Sequence, residues 1–494
     1  MTVTDIDVEA TGITSCKGVD YYGYVGQAPM QIWYDATKAQ APGLQPERFL
    51  APRMMQKGNV QICGDVASPG IGAFDWTAVS MQDSVQLRSE VNPVTGSLGG
   101  QLTDMLQTPS VFLQNTTVSY GMYDAGTGRQ GLPNQHQSYS YVTRDHSSWM
   151  TEVLKMQGAK DLPLSSFALP GAHDAGISMT PGINAIVDSN LLEKNFSNKV
   201  GEAVVRTLRL LSRSTLERFI VSFFFTQKED FRALLRVGVR FFDFRPGIPA
   251  GNIFGADRMF HMHGSIPGRG FSTFLDDVTD FLNKNPEEFV FVQLSQNGIK
   301  PDTSRPKWPE INEKIQKALV RANQGRPVSE HLTFGTANNL RTPIKDLLSW
   351  NMRLIFLTDV GAPFDTKKQD SYDAKLYATS EPSNIIKALD LVKPAPEIGA
   401  TYTVLQLQGT VTAKLLGGTT DQAETIVRSI ATGSDAASPL LATKAKFDHQ
   451  TYSWVQRNGA KFTADVPLVL LNDFADCALV DIAKDLTIRR MGLR

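Results

Sequence analysis

The sequence has little cysteine, no long apolar run and no surplus of charge of either sign, and each shortage narrows what the chain can be. Three cysteines in 494 residues, Cys16, Cys63 and Cys477, are an odd number without metal-like spacing. They are expected to be reduced structural thiols, as in a reducing compartment, rather than a disulfide framework. The longest apolar stretch, Phe219 to Phe225, falls far short of the roughly 20 residues that span a bilayer. The opening MTVTDIDVEATG has no basic start followed by an apolar run, so no secretory signal is visible. A cytoplasmic location is expected, with the mature chain of a secreted protein as the alternative. Lys plus Arg number 49 against 50 Asp plus Glu, which leaves no whole-molecule field for nucleic acid or an anionic membrane. Any phosphate site must be local.

What is present is ordinary globular material, 41% hydrophobic and 20% charged, and enough of it for two or three domains or one large barrel with an extra module. Residues 1–145 lack long helical periodicity and carry short runs such as Gln31-Ile-Trp-Tyr34 and Thr117-Val-Ser-Tyr120 between Gly, Pro, Asn and Asp. That is the pattern of a β-sandwich. Asp124 to Gln137 is expected to be a long loop or linker into the second unit. From residue 146 onward the texture changes to continuous apolar runs, Phe289-Val-Phe-Val-Gln-Leu294, Leu354-Ile-Phe-Leu357, Tyr402-Thr-Val-Leu405 and Pro467-Leu-Val-Leu-Leu471. Amphipathic stretches such as Phe271 to Lys284 and Ile311 to Ala322 separate them. Strands buried on both faces imply a parallel sheet, and this alternation over residues 146–494 predicts a (β/α) TIM-type barrel of the α/β class. The segment 181–225 reads as an insertion. Val204, Leu208 and Leu211 share one helical face, and Arg206, Arg209 and Arg213 another, as in a helix packed on the barrel, or else a lid or an element in peripheral contact with a membrane.

Three short motifs carry the chemistry. Leu169-Pro-Gly-Ala-His-Asp-Ala-Gly176 sets a histidine and an aspartate among glycines, where a ligand can approach the backbone closely. Val239-Arg-Phe-Phe-Asp-Phe-Arg-Pro246 ends with Asp243 and Arg245 on one strand face, which suits either an oxyanion clamp or a strand-end salt bridge. His261-Met-His-Gly264 places two histidines on one face, a spacing that also suits a metal.

In order along the chain, these motifs and the subsequent Phe271 to Leu294 with its NPEEFVFVQL stretch resemble the catalytic X-region of phosphatidylinositol-specific phospholipases C and related phosphodiesterases. The resemblance continues more faintly to Leu470-Leu-Asn-Asp-Phe474. It implies that His173 is a general base oriented by Asp473, and that His263 is the general acid, assisted by Asp174. It further implies that Arg245, positioned by Asp243, holds the phosphoryl oxygens. Relatives that use a metal place an acid where this chain has Arg245, so the resemblance is to the metal-independent bacterial type, with no cofactor. The pocket departs from it. Inositol-binding members carry a lysine and an arginine where this chain has Ser295 and Asp359, and an acid and an aromatic where it has Gln406 and Gln408.

The leading expectation is therefore a phosphodiesterase or lyase acting on a phosphodiester whose head group is not a standard inositol. The same barrel acting as a biosynthetic lyase or cyclase on a non-phosphate substrate is the alternative, and a binding protein with a retired barrel is another. A metal-dependent amidohydrolase using His261 and His263 would need later histidine ligands, and only His331 and His449 come after them.

Overall fold

The computed structural model describes residues 14–37, 47–49, 51–67, 70–80, 82–101, 109–125, 134–178, 224–249, 258–300, 303–362, 364, 366–409 and 439–493. Almost all of the segment 181–225, with its arginine face, lies outside the described residues; Phe224 and Phe225 are inside.

The first ten strands are β1 (Thr14–Val25), β2 (Gln31–Thr37), β3 (Glu47–Phe49), β4 (Met55–Asp65), β5 (Gly72–Val79), β6 (Ser84–Val91), β7 (Leu98–Gly100), β8 (Val111–Leu113), β9 (Thr116–Tyr123) and β10 (His136–Arg144). They form two five-stranded sheets, ordered β4-β1-β10-β9-β8 and β3-β2-β5-β6-β7. Aromatic side chains fill the space between the sheets: Tyr21 and Tyr34 stack at 4.5 Å, and Trp76 meets Tyr120 at 5.3 Å. β6 alternates buried and exposed residues, as a strand with one wet face should, whereas β9 is buried throughout. The reason is a third layer, in which the helices Pro439–Asn458 and Cys477–Arg490 pack on β9 and β10.

Two expectations fail in this region. The segment from Asp124 to Gln137 does not lead into the second unit. It joins β9 to β10, which pair antiparallel, so a sandwich strand comes after it. Cys16 and Cys63 are not free thiols but a disulfide, with Cα atoms 4.1 Å apart. The register of β1 against β4 sets them opposite one another, a pairing that a sequence separation of 47 conceals. Cys477 is a buried free thiol, and burial, with Asp476 beside it, raises its pKa to about 12.

The remaining strands are β11 (Ala168–Ala172), β12 (Phe241–Phe244), β13 (Pro246–Gly247), β14 (Phe260–His263), β15 (Ile266–Gly270), β16 (Val290–Leu294), β17 (Thr333–Thr336), β18 (Met352–Thr358), β19 (Lys368–Asp370), β20 (Tyr402–Gln406) and β21 (Leu468–Asn472). Eight of them make a sheet ordered β17-β18-β16-β12-β11-β21-β20-β19, and its neighbouring strands all pair parallel. The helices Phe271–Lys284 and Trp308–Asn323 lie where the apolar periodicity puts them. The sheet is rolled. Tyr402 Oη donates to Gln293 Oε1 at 3.0 Å, although four ladder steps separate β20 from β16 and would hold them roughly 19 Å apart in a flat sheet. Among the described residues no ladder joins β17 or β18 to β19, and the seam carries instead a bond from Thr366 N–H to the Thr358 carbonyl, 2.9 Å. The result is a mixed α/β molecule: a rolled parallel sheet beside two β-rich sheets. β14, which carries His263, belongs to a small antiparallel sheet with β13 and β15, not to the large one.

Candidate active site

The candidate residues converge at the C-terminal ends of the parallel strands, the end at which barrel enzymes do their chemistry. His173 comes directly after β11, Asp243 lies in β12 with Arg245 just beyond it, and Asp473 comes directly after β21. Asp174 and Phe474, the residues after His173 and Asp473, are held at φ 43° and 48°. Left-handed backbone at non-glycine residues costs energy and marks segments that the surrounding structure constrains.

His173 Nδ1 faces Asp473 Oδ1 at 2.8 Å, so Nδ1–H donates to the carboxylate and Nε2 is left toward the cleft. Arg245 Nη2 lies 3.2 Å from that Nε2. The guanidinium is itself held by Asp243 Oδ2 at 3.0 Å and, through Nε, by Asp174 Oδ1 at 3.0 Å. His261 accepts the Arg245 backbone N–H on Nδ1 and therefore donates Nε2–H to Asp174, 3.2 Å away. His263, one-third exposed, stands 4.0 Å from Asp174 Oδ2, its ring edge-on to Phe224 at 5.8 Å. Among the described residues its buried Nδ1 has no hydrogen-bond partner.

Electrostatics divide the two histidines. Burial alone would lower the His173 pKa, but Asp174 and Asp473 outweigh it and raise it to about 9. His263 goes the other way: burial lowers it, and the carboxylate of Asp174 offsets only part of that. Arg245 and the histidines hold the Asp174 carboxyl well below the usual range, against the cost of burial.

His173, Asp174 and Asp243 each offer a ligand atom within 4.8 Å of one another. The Arg245 guanidinium contacts all three residues.

The four pocket positions are less uniform. Ser295 Oγ and Asn297 Nδ2 both donate to Asp359 Oδ2, at 3.1 and 3.2 Å, at the ends of β16 and β18. Gln406 Nε2 donates to Asp370 at 2.9 Å and Gln408 Nε2 donates to Gln406 Oε1 at 3.0 Å, and among the described residues the buried Gln408 Oε1 has no partner. Burial raises the pKa of Tyr402, and Asp359, Asp243 and Asp370 raise it further.

The groups that support these residues carry little mark in the sequence. Gln227 Nε2 donates to the His173 and Asn472 carbonyls, and its Oε1 accepts Ala475 N–H. Gln293 donates to Asp243 Oδ1 at 3.4 Å. A glutamine inside the apolar run VFVQL was the available signal for Gln293; nothing marked Gln227. Other motif residues are structural. Arg240 and Glu288, both fully buried, pair at 2.8 Å just before β12 and β16, away from the catalytic end.

No protein-family model matches the chain. Among curated proteins, the human protein described as PI-PLC X domain-containing protein 2 is 26% identical over 136 residues, 27% of this chain and 39% of the relative. The match thus spans well under half of that protein's length. Among solved structures, the phosphatidylinositol-specific phospholipase C of Listeria monocytogenes is 13% identical at a TM-score of 0.36, covering 69% of this chain and 98% of that one. That of Staphylococcus aureus is 13% identical at 0.39, covering 69% and 97%. By its curated match and the order of its motifs, the chain carries a region like the X domain of the phosphatidylinositol-specific phospholipase C family.

Proposed function

We propose that the protein is a phospholipase C-like phosphodiesterase that needs no metal. The observation that carries this is the Arg245 guanidinium, fixed by two carboxylates and lying against Nε2 of a histidine that a third carboxylate orients. A phosphodiester oxygen has the negative charge and the acceptor lone pairs to take the place of that nitrogen on the planar guanidinium.

In the proposed step, a hydroxyl next to the phosphate gives its proton to His173 Nε2 and attacks phosphorus. The bond to the leaving oxygen breaks, and His263 supplies that oxygen's proton. A cyclic phosphate forms, and water opens it with the two histidines exchanging roles. Arg245 takes up the charge that builds on the phosphoryl oxygens, which is the work a cation would otherwise do.

The substrate is a phosphodiester whose head group is not a standard inositol. A ring bearing several hydroxyls is selected by paired donors and acceptors, and their loss costs specificity heavily. Ser295, Asp359, Gln406 and Gln408 present acceptors and amides where two cations, an acid and an aromatic would be required. The disulfide between Cys16 and Cys63 fits an oxidising compartment better than the cytoplasm. No described helix is long and apolar enough to cross a membrane, and any membrane contact would be peripheral.

The test is to offer the purified protein mixed phospholipid micelles with and without a chelator and to monitor cyclic phosphate by phosphorus NMR. Cyclic product that is insensitive to the chelator is expected, with phosphatidylinositol a poor substrate. Activity that needs added calcium or magnesium overturns the metal-free reading. Release from phosphatidylinositol at kcat/KM of about 10⁴ M⁻¹s⁻¹ or above overturns the substrate reading.

A further inference from the structure

The sandwich and the candidate active site are joined by two buried polar routes. On the first, Tyr141 of β10 donates its hydroxyl to Asp448 Oδ2 at 3.0 Å. The other oxygen of Asp448 accepts Asn472 Nδ2 at 2.9 Å. The Asn472 carbonyl in turn accepts His173 N–H at 3.0 Å, and the next residue is Asp473, which grips the same histidine.

The second route runs through residues 227–229. Glu229 accepts Ser110 N–H at 2.6 Å, and Lys228 donates to the Tyr120 carbonyl of β9 at 2.5 Å. Gln227, their neighbour, ties the His173 carbonyl to the Asn472 carbonyl and to Ala475 N–H. Both routes end on the backbone that carries His173 and Asp473.

The crossing point is expensive to build. Lys444 reaches Asp448 at 2.7 Å and Asp476 at 2.6 Å, all three side chains being at most 2% exposed. Tyr452 Oη donates to Asp476 and accepts from Asn472 Nδ2. Buried ions repay their desolvation poorly in stability and are more often explained by the arrangement they specify. An apolar contact between sandwich and helix would have held the two together at lower cost.

We propose that the sandwich is part of the catalytic support, with Tyr141 and Lys228 acting as positioning residues for the His173–Asp473 pair through Asp448, Asn472 and Gln227. The proposal rests on the function put forward above only in taking that pair to be catalytic. Placement errors of an ångström cost up to about 10²-fold in rate, so a hydroxyl several hydrogen bonds away can register in turnover without touching substrate.

The experiment compares Tyr141→Phe with Tyr139→Phe. Tyr139 lies in the same strand, is likewise buried, and has a hydroxyl without a hydrogen-bond partner among the described residues, so its variant removes the same atom without breaking the route. Two readouts are taken: the downfield proton resonance of His173 Nδ1–H, and kcat and KM on whichever phosphodiester the wild type turns over. Tyr141→Phe should shift or broaden the resonance and lower kcat about 10-fold with KM little changed, while Tyr139→Phe leaves both as in wild type. Lys228→Met tests the second route, should act in the same direction, and stands in for Tyr141→Phe if that variant does not fold. A folded Tyr141→Phe and Lys228→Met with wild-type resonance overturns the proposal. A wild type that cleaves nothing sinks the functional reading alone, since the resonance still decides the positioning.

Discussion

Arg245 and the two histidines bear the sharpest tests of single side chains. Arg245→Lys keeps the charge but loses the planar fork that contacts Asp174, Asp243 and His173 together; it should lose on the order of 10²-fold or more in turnover with little change in Tm. Near-normal turnover would reduce Arg245 to a strand-end salt bridge. His173→Ala and His263→Ala should each lose about 10²–10⁴-fold. With the His173 pKa at about 9 and that of His263 below its ordinary value, kcat/KM should plateau between them. Its alkaline limb should fall near pH 9 and its acid limb below 6.5. The base must be neutral and the acid charged, the minority pairing at every pH, and the product of the two fractions still gives a bell. The same shift has a stability sign. A histidine raised from 6.5 to about 9 stabilises the fold fully below pH 6.5, and that contribution is lost as pH rises through 9. In His173→Ala the corresponding slope of Tm against pH between 6.5 and 9 should be reduced.

At the scale of strands and helices, what the sequence disclosed depends on how each element is buried. Phe289 to Leu294 and Pro467 to Leu471 are apolar without alternation because both faces are covered, so their assignment to a parallel sheet was available from composition alone. The side sheet of β13, β14 and β15 was not. Its two- to five-residue strands are too short for a period, and only the HMHG motif marked the place. Most of the site was legible because it lies in motifs at strand ends, and the supports were not, since Gln227, Asn472 and Tyr141 acquire their roles only through contacts between residues far apart in the chain. The motif glycine Gly176 shows how an element sets the site. A Cβ there would lie 2.3 Å from His261 Cβ and 2.6 Å from its Cγ, and His261 is the residue that holds Asp174. Gly176→Ala should therefore cost about 1–3 kcal/mol in urea unfolding and lower turnover as well. An alanine variant with wild-type stability and rate would mean that this close approach is not kept in solution.

At the scale of the whole molecule, the sandwich and the rolled sheet should melt as one unit. Their buried apolar residues form a single continuous cluster, and β1 shows the coupling in one strand. Near its start Cys16 is tied to Cys63, while at its far end Tyr24 donates its hydroxyl to Asp481 of the C-terminal helix at 2.7 Å. Asp481 also meets His146 at 3.1 Å. Losing the disulfide frees a loop of 47 residues in the unfolded chain, a change that ordinarily costs about 2–4 kcal/mol. Were the sandwich an independent module, that loss would lower the melting of the sandwich alone and leave a second transition unmoved. With β1 anchored in both units, Cys16→Ser/Cys63→Ser should lower the Tm of one cooperative transition, detected alike by sandwich aromatics and by overall helicity. Differential scanning calorimetry decides between the two. Two transitions, only one of them displaced, would show that the rolled parallel sheet holds its shape without the sandwich.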